Sequence, residues 1–428
     1  MKICVVGGGS TYTPELIEGL IKFREKFPVD VVYLLDVEKG EKKLDAVAGL
    51  ANRMIIHAKA DIKLKATLDS KEAIRNSDFV LFQFRPGFLE GRINDEEIPL
   101  KYGLIGQETT GIGGFACALR GMPMMSKYVD LIRQLAPNAF IVNFTNPSGL
   151  MTEFIINYLG YERCIGLCNI PINLFQEIAD KVGVERQDLF LKSYGLNHLT
   201  WLEKVYLKGK DITNTLWDKI QINMKNIPKT EFSYDFVRSL GLMPNPYLRY
   251  YYMTKTMYEK EVEDVGNEGC RGRVVKEIEK ELLKLYANSD LIEKPKLLEE
   301  RGGSMYSTAA VELMRDIYND AKTIHIVNTK NNGSVSNLPR DYVLEIPTLI
   351  GARGSLPISI GEAKIETIGL IHTVKSFERL TIETYLKRNE KYAKEAMLIH
   401  PLGSRIESIE ALWRDLKKAN SKYYTYLK

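Results

Sequence analysis

The sequence is poor in cysteine, in tryptophan and in long apolar runs. Five cysteines among 428 residues, Cys4, Cys117, Cys164, Cys168 and Cys270, are a sparse and odd-numbered set. That excludes the dense disulfide framework of small secreted domains and predicts free thiols. Cys164 and Cys168 stand close together, but no second pair follows at zinc-ribbon spacing, so a structural zinc site is not expected. The apolar run that opens the chain stops after Val6, too soon for the core of a signal peptide. No later segment approaches the roughly 20 apolar residues of a membrane helix. A cytoplasmic protein with no membrane contact is therefore expected. Fifty-nine basic and 55 acidic residues leave a net charge of only +4, which argues against nucleic acid as a partner while leaving room for a local phosphate-binding cluster.

What is present reads as an ordinary globular chain, 45% hydrophobic and 27% charged, long enough for about two or three structural units. Short apolar runs at residues 2–6, 29–35, 79–84 and 140–144 alternate with stretches of helical periodicity such as 44–57. This is the pattern of βαβ units, and it predicts an α/β fold with a Rossmann-like, doubly wound parallel sheet covered by helices on both faces. After about residue 165 the alternation loosens into a polar stretch at 208–230, a charged helix at 273–286 and a largely helical region from 361 to 428. The expected division is a dinucleotide-binding domain over residues 1–165, followed by a mixed α+β domain over 166–428 for substrate, metal and oligomer contacts.

The first strand ends in Gly7-Gly8-Gly9-Ser10 and leads into Thr13-Pro14-Glu15, where Thr13 can cap a helix and Pro14 fits its first turn. Two glycines of a dinucleotide fingerprint are in place, for a tight turn and for close approach of a pyrophosphate, but Tyr12 occupies the position of the third. Asp36, at the end of the second apolar run, suits a ribose diol and repels a 2′-phosphate, which favours NAD over NADP. Arg92, Asn94 and Asp95 follow the strand that ends near Arg85; a guanidinium there can grip a phosphate by two parallel bonds. Arg271 and Arg273 form a second basic cluster. Residues 106–114 are rich in glycine and hydroxyls but lack the P-loop lysine. Residues 143–149, NFTNPSG, carry amides suited to sugar or ribose hydroxyls, or else form a plain loop in which Ser148 caps the next helix. Cys168 and His198 are good ligands for a transition ion; spacing alone equally accommodates a buried structural cysteine and a hydrogen-bonded core histidine.

Taken together, VVGGGSTYTPEL, FQFRPG, GRINDEEIPLKYGLIGQETTG, NFTNPSG, GLCNIPI, YGLNHL, NPYLRYY and GGSMYSTAA resemble glycoside hydrolase family 4, in its 6-phospho-β-glucosidase branch, over almost the whole chain. The resemblance implies a lactate/malate dehydrogenase-like N-terminal fold, NAD and a divalent metal, usually Mn²⁺, as cofactors, a sugar phosphate as substrate, and a homodimer or homotetramer. Family 4 departs from the two-carboxylate scheme of other glycosidases. Its chemistry is oxidation at C3, loss of the C2 proton, elimination of the C1 aglycone, addition of water and re-reduction. Cys168 and His198 match the metal ligands, Tyr247 matches the C2 base, and Glu108 and Asn146 match residues lining the site. Gly7, Gly9, Ser10, Asp36 and Asn143 are the expected cofactor contacts; Arg92, Asn94, Asn146 and Arg271 are the expected substrate contacts. Asn169 stands where members acting on 6-phospho-α-glucosides carry an Asp that can protonate the leaving group. An amide cannot, so the resemblance implies β specificity, with α specificity the alternative inside the family and an NAD-dependent hydroxy-acid dehydrogenase the alternative outside it.

Overall fold

The computed structural model describes residues 1–217, 219–220, 225–302 and 305–427; Gly303 and Ser304 of the GGSMYSTAA motif and part of the polar stretch at 208–230 lie outside them. The apolar runs at 2–6, 29–35, 79–84 and 140–144 form β1 (Lys2–Val6), β2 (Val31–Leu35), β4 (Phe79–Phe82) and β5 (Phe140–Asn143), and β3 (Lys63–Thr67) and β6 (Cys164–Gly166) join them. They pair in parallel in the order β3-β2-β1-β4-β5-β6, the Rossmann arrangement. Successive residues of β1 point to opposite faces: Cys4 and Val6 pack with helix Gly111–Leu135 and the C-terminal helices, Ile3 and Val5 with helices Thr13–Phe23, Glu41–His57 and Tyr306–Tyr318. Continuous apolar runs are what a sheet buried on both faces requires.

The second half of the chain supplies β7 (Leu189–Leu196), β8 (Leu199–Leu207), β9 (Lys210–Asp211), β10 (Met243–Pro244), β11 (Thr323–Lys330), β12 (Val343–Gly351) and β13 (Gly354–Pro357). Strands β7, β8 and β10 form a small antiparallel sheet, with β9 pairing β8. Strands β11, β12 and β13 instead add antiparallel to β6, so the main sheet has nine strands and spans both halves of the chain. Helices Ile365–Lys387, Glu390–Ile399 and Ile409–Ala419 make the C-terminal region helical, as its pattern predicts. No helix among the described residues is long and apolar enough to cross a membrane, and all five cysteines are free and buried.

Two helix caps differ from expectation. Thr13 does not cap its helix; Tyr12 precedes the first turn, and the Thr13 hydroxyl donates 2.8 Å to the Gly8 carbonyl, tying the glycine turn to the helix it feeds. Ser148 likewise caps nothing, since Pro147 holds the cap position and the Ser148 hydroxyl donates to the Asn143 carbonyl at 3.3 Å.

Behind the Gly106 loop lies a buried carboxyl. Glu261 in helix Thr254–Asn267 accepts the Gly106 amide at 2.8 Å. Burial, reinforced by Glu96 and opposed by the Gly106 bond, pushes its pKa from 4.5 up to about 8. A folded-state pKa above the unfolded one contributes stability that is complete below the unfolded value and is lost as pH rises through the folded value. The stability advantage of the wild type over Glu261→Gln should therefore be larger at pH 5 than at pH 8.5, shrinking by up to about 1.4 kcal/mol per pH unit in that window. Chemical denaturation of both proteins at the two pH values measures this, and parallel pH profiles would show that Glu261 is ionised in the fold.

Candidate active site

A cleft of about 710 Å³ runs along the C-terminal ends of β1, β2, β4, β5 and β6, where open α/β sheets hold their ligands. At one end is the glycine turn. Gly7 has φ +86°, and a Cβ there would fall 2.9 Å from the backbone of Phe84; a Cβ on Gly9 would fall 2.7 Å from the Asp36 carboxylate. Asp36 accepts the Gly9 amide at 2.8 Å through one oxygen and the Val37 amide at 2.8 Å through the other. It thus fixes the turn and still has lone pairs for a diol. Ser10 lines the same end. Tyr12, in place of the third glycine, lies in the cleft wall with the Arg301 guanidinium 4.3 Å above its ring.

At the other end Cys168 follows β6 and opens helix Asn169–Val182, while His198 forms the turn between β7 and β8. The His198 backbone is left-handed, φ +66°, a conformation that a non-glycine residue adopts only where its surroundings impose it. The result is a Cys168 Sγ to His198 Nε2 separation of 3.5 Å, both side chains buried. Burial lowers the His198 pKa to about 4 and so keeps the imidazole neutral, the form that binds a metal. Burial raises the Cys168 thiol well above its ordinary value, aided by the Glu345 charge. Among the described residues no cluster of three or more His, Cys, Asp or Glu forms a complete metal cage.

Tyr247 sits in the turn Pro246–Leu248, where its amide donates 2.9 Å to Asn245 Oδ1 and Asn245 in turn donates to Thr200 at 3.0 Å. Its ring stacks on His198, with centroids 4.0 Å apart and planes 9° from parallel. Burial raises its pKa, with Glu108 and Cys168 adding to the effect while Thr109 and Arg92 oppose it.

Between the two ends lies a cluster of buried charge. Glu108 bridges Arg85 and Arg92, at 3.2 Å from the Arg92 Nη1, and Arg92 Nε donates 2.8 Å to Glu96. Burial works against the charge on Glu108, but the two guanidiniums outweigh it and hold the carboxyl below its usual range. Arg92 Nη2 and Asn169 Nδ2 are buried donors without a hydrogen-bond partner. Both residues line the cleft, and orphaned buried donors are where a ligand is expected.

Of the residues picked out by sequence, Gly7, Gly9, Ser10, Asp36, Arg92, Glu108, Asn146, Cys168, Asn169, His198 and Tyr247 line this one cleft, whereas Asn94, Asn143 and Arg271 do not. Asn143 is fully buried and shapes the wall, donating to the Ser148 carbonyl and Thr152 hydroxyl and accepting the Thr145 amide. Arg271 donates to Asn226 and to the carbonyls of Glu300 and Arg301, and Arg273 pairs with Glu97 away from the cleft. Sequence reasoning passed over Arg85 and Arg301, both in the cleft wall. Arg85 could have been found from FQFRPG, which places it just past a strand end; Arg301 carries no local signal.

Glu108→Gln would leave Arg85 without its carboxylate and Arg92 with Glu96 alone, and loss of one partner of a buried pair costs about 3 kcal/mol. Inorganic phosphate should restore part of this by sitting between the guanidiniums. Thermal midpoints with and without phosphate test it, and a loss that phosphate leaves untouched would mean the two cations do not share an anion site.

Residues 2–184 match the family described as "Family 4 glycosyl hydrolase", and residues 193–403 its C-terminal domain. The chain is 48% identical to 6-phospho-β-glucosidase BglT of Thermotoga maritima over 99% of both proteins. A crystal structure of the 6-phospho-β-glucosidase from that organism, with manganese, NAD⁺ and glucose 6-phosphate, superposes with a TM-score of 0.92 at 48% identity over 99% of both chains. Malate dehydrogenase of Cryptosporidium parvum superposes with a TM-score of 0.52 at 14% identity, covering 90% of this chain and 99% of that one, a likeness of fold alone. Motifs, fold and cleft agree with the sequence match over both halves, and the chain belongs to glycosyl hydrolase family 4.

Proposed function

We propose that the protein hydrolyses 6-phospho-β-glucosides, such as cellobiose 6-phosphate, to glucose 6-phosphate, using NAD⁺ and a divalent ion, most naturally Mn²⁺. The observation that carries this reading is that a single cleft joins a dinucleotide-type glycine turn with Asp36 to the Cys168, His198 and Tyr247 constellation. The residues fit both groups. The glycine turn has the close approach a pyrophosphate needs, and a neutral imidazole beside a thiol is a donor pair for a transition ion that leaves positions open for sugar oxygens.

Bound there, the two groups supply a reversible hydride acceptor and a Lewis acid. The rest falls to the protein. Cys168 and His198 hold the ion, and Arg92 with Arg85 meets the 6-phosphate by charge-assisted bonds. Tyr247 takes the C2 proton, made acidic by a neighbouring ketone. The protein alone holds its phenol protonated; positive charge beside the ring that stacks on His198 reverses that. Asn169, with its free Nδ2, can donate a hydrogen bond to a sugar oxygen but cannot protonate a leaving group, which supports β over α specificity. Asn146 is assigned as a further sugar or phosphate contact; Asn94 and Arg271 are assigned to the substrate side from behind the cleft lining, and Asn143 to the cofactor side through the Thr145–Ser148 loop it holds. A homodimer or homotetramer in the cytoplasm completes the proposal.

Hydrolysis of 4-nitrophenyl 6-phospho-β-glucoside should require both NAD⁺ and Mn²⁺ and yield no net NADH, with the α-anomer and the unphosphorylated analogue poor substrates. Undiminished hydrolysis after removal of NAD⁺ and chelation of metal would leave a conventional glycosidase.

Tyr247→Phe keeps the stacked ring and removes the acceptor. If proton abstraction contributes the usual roughly 10²- to 10⁴-fold of general-base catalysis, kcat should fall by that factor with NAD⁺ and Mn²⁺ affinity little changed. In D₂O the wild type should place deuterium at C2 of glucose 6-phosphate and the variant should not. Wild-type exchange in Tyr247→Phe would move the base elsewhere, and no exchange in the wild type would rule out elimination.

A further inference from the structure

The C-terminal segment is far from the glycine turn in sequence, yet Lys422, Tyr423 and Thr425 line the same cleft. They are not a loose end that happens to lie nearby. The segment is anchored at three residues to helix Gly111–Leu135: Asn420 Oδ1 accepts from Arg120 Nη1 at 2.9 Å, Tyr424 donates its hydroxyl to the Ala116 carbonyl at 3.1 Å, and Tyr426 donates to the Leu119 carbonyl at 2.9 Å. Tyr424 is buried against Trp413, with ring centroids 6.2 Å apart and planes 22° from parallel. Arg120 is itself fixed by its buried pair with Asp95 and by the Pro86 carbonyl at 3.0 Å. With Asn420, Tyr424 and Tyr426 held on the helix, Lys422, Tyr423 and Thr425 between them face the cleft.

The segment also reaches the later turns of this helix, since Tyr426 packs on Tyr385 with ring centroids 5.0 Å apart and the Tyr385 hydroxyl donates 3.2 Å to Ser126. The helix residues Met124, Lys127 and Tyr128 line the wall, and Tyr128 packs on Phe84 at 5.7 Å within electrostatic reach of Asp36. Asp36 marks the adenosine ribose and the glycine turn the pyrophosphate, whereas Cys168 and His198 stand at the opposite, sugar-binding end. We propose that residues 420–427 form the outer wall of the adenosine half of the NAD⁺ site, with Tyr423 giving aromatic surface and Lys422, together with Lys127, positive charge toward the dinucleotide. This rests on the reading of the cleft as an NAD⁺ site. A wall drawn from the far end of the chain couples cofactor retention to correct docking of the C-terminal helices, which suits an enzyme that regenerates its cofactor in each turnover and gains nothing from releasing it.

The test is calorimetric titration of the full-length protein with NAD⁺, ADP-ribose and, in the presence of Mn²⁺, glucose 6-phosphate. The double variant Lys422→Ala/Tyr423→Ala leaves all three anchors in place. It should raise Kd for NAD⁺ and ADP-ribose by the same factor, about three- to thirtyfold, with glucose 6-phosphate affinity and the thermal midpoint of the ligand-free protein unchanged. Tyr423→Phe should recover most of Tyr423's share. A wild type that binds NAD⁺ and ADP-ribose no better than the double variant does overturns the role of the segment. A wild type that binds neither overturns the cofactor reading as well. A fall in ligand-free thermal midpoint with equal losses for all three ligands would make the segment a structural brace and refute the proposal.

Discussion

The active-site geometry depends on one buried carboxylate. Glu345, on β12, is wholly inaccessible and accepts hydrogen bonds from Asn197 at 2.9 Å and Asn328 at 3.3 Å. Asn328 lies on β11 opposite Gly166 of β6, two residues before Cys168, and Asn197 immediately precedes His198. One side chain therefore joins the antiparallel extension of the main sheet to the β7–β8 turn, and the Cys168–His198 pair stands over the junction. Burying a carboxyl is costly unless its bonds are made; burial pushes this one up to about 7 against the two amide bonds. The cost is borne beside the site, where this clamp, the Gly149 amide bonded to Asn197 Oδ1 at 3.4 Å and the stacked Tyr247 ring together hold the left-handed hairpin tip beside the thiol.

The arginine cluster follows the same logic on the substrate side. Arg85 and Arg92 are oriented by Glu108 and Glu96, so in the proposed function a phosphate would meet donors already in place with little reorganisation. Glu108 also faces Tyr247 and His198 electrostatically. A single carboxylate thus balances two guanidiniums while opposing ionisation of the phenol until further positive charge arrives.

The sequence made the fold legible wherever burial on both faces forced a continuous apolar run, as in β1, β2, β4 and β5. It hid β3, whose KLKAT has few apolar side chains because it lies at the sheet edge, where exposed lysines discourage pairing with another chain. The antiparallel joining of β11 to β6 was also invisible, since strand order between distant segments leaves no local pattern. In the site, residues at strand ends were recognisable because that is where α/β folds place ligands. Arg271, outside the cleft lining, and Arg301, within it, differ for a reason sequence does not show: a long flexible side chain can reach the cleft or turn from it, and its neighbours in space decide. Thr13 and Ser148 show the limit of cap rules. Each hydroxyl had a better acceptor in a nearby carbonyl of the loop it stabilises.

These features explain why so few protein ligands suffice. In the proposed function, a closed cage of four would bind an ion tightly and leave no position for a sugar, whereas Cys168 and His198 alone would hold it at one side and leave positions for substrate oxygens. Asn169, next in sequence, keeps an unpartnered buried donor at the same place. The cleft thus holds unsatisfied buried donors on Arg92 and on Asn169. In the proposed function, both would be met together by a ligand that carries adjacent oxygens at one end and a phosphate at the other. Substrate recognition and assembly of the catalytic centre would then be the same event, and an unphosphorylated sugar, which leaves the Arg92 Nη2 donor unmet, would forgo part of the energy that positions C2 against Tyr247.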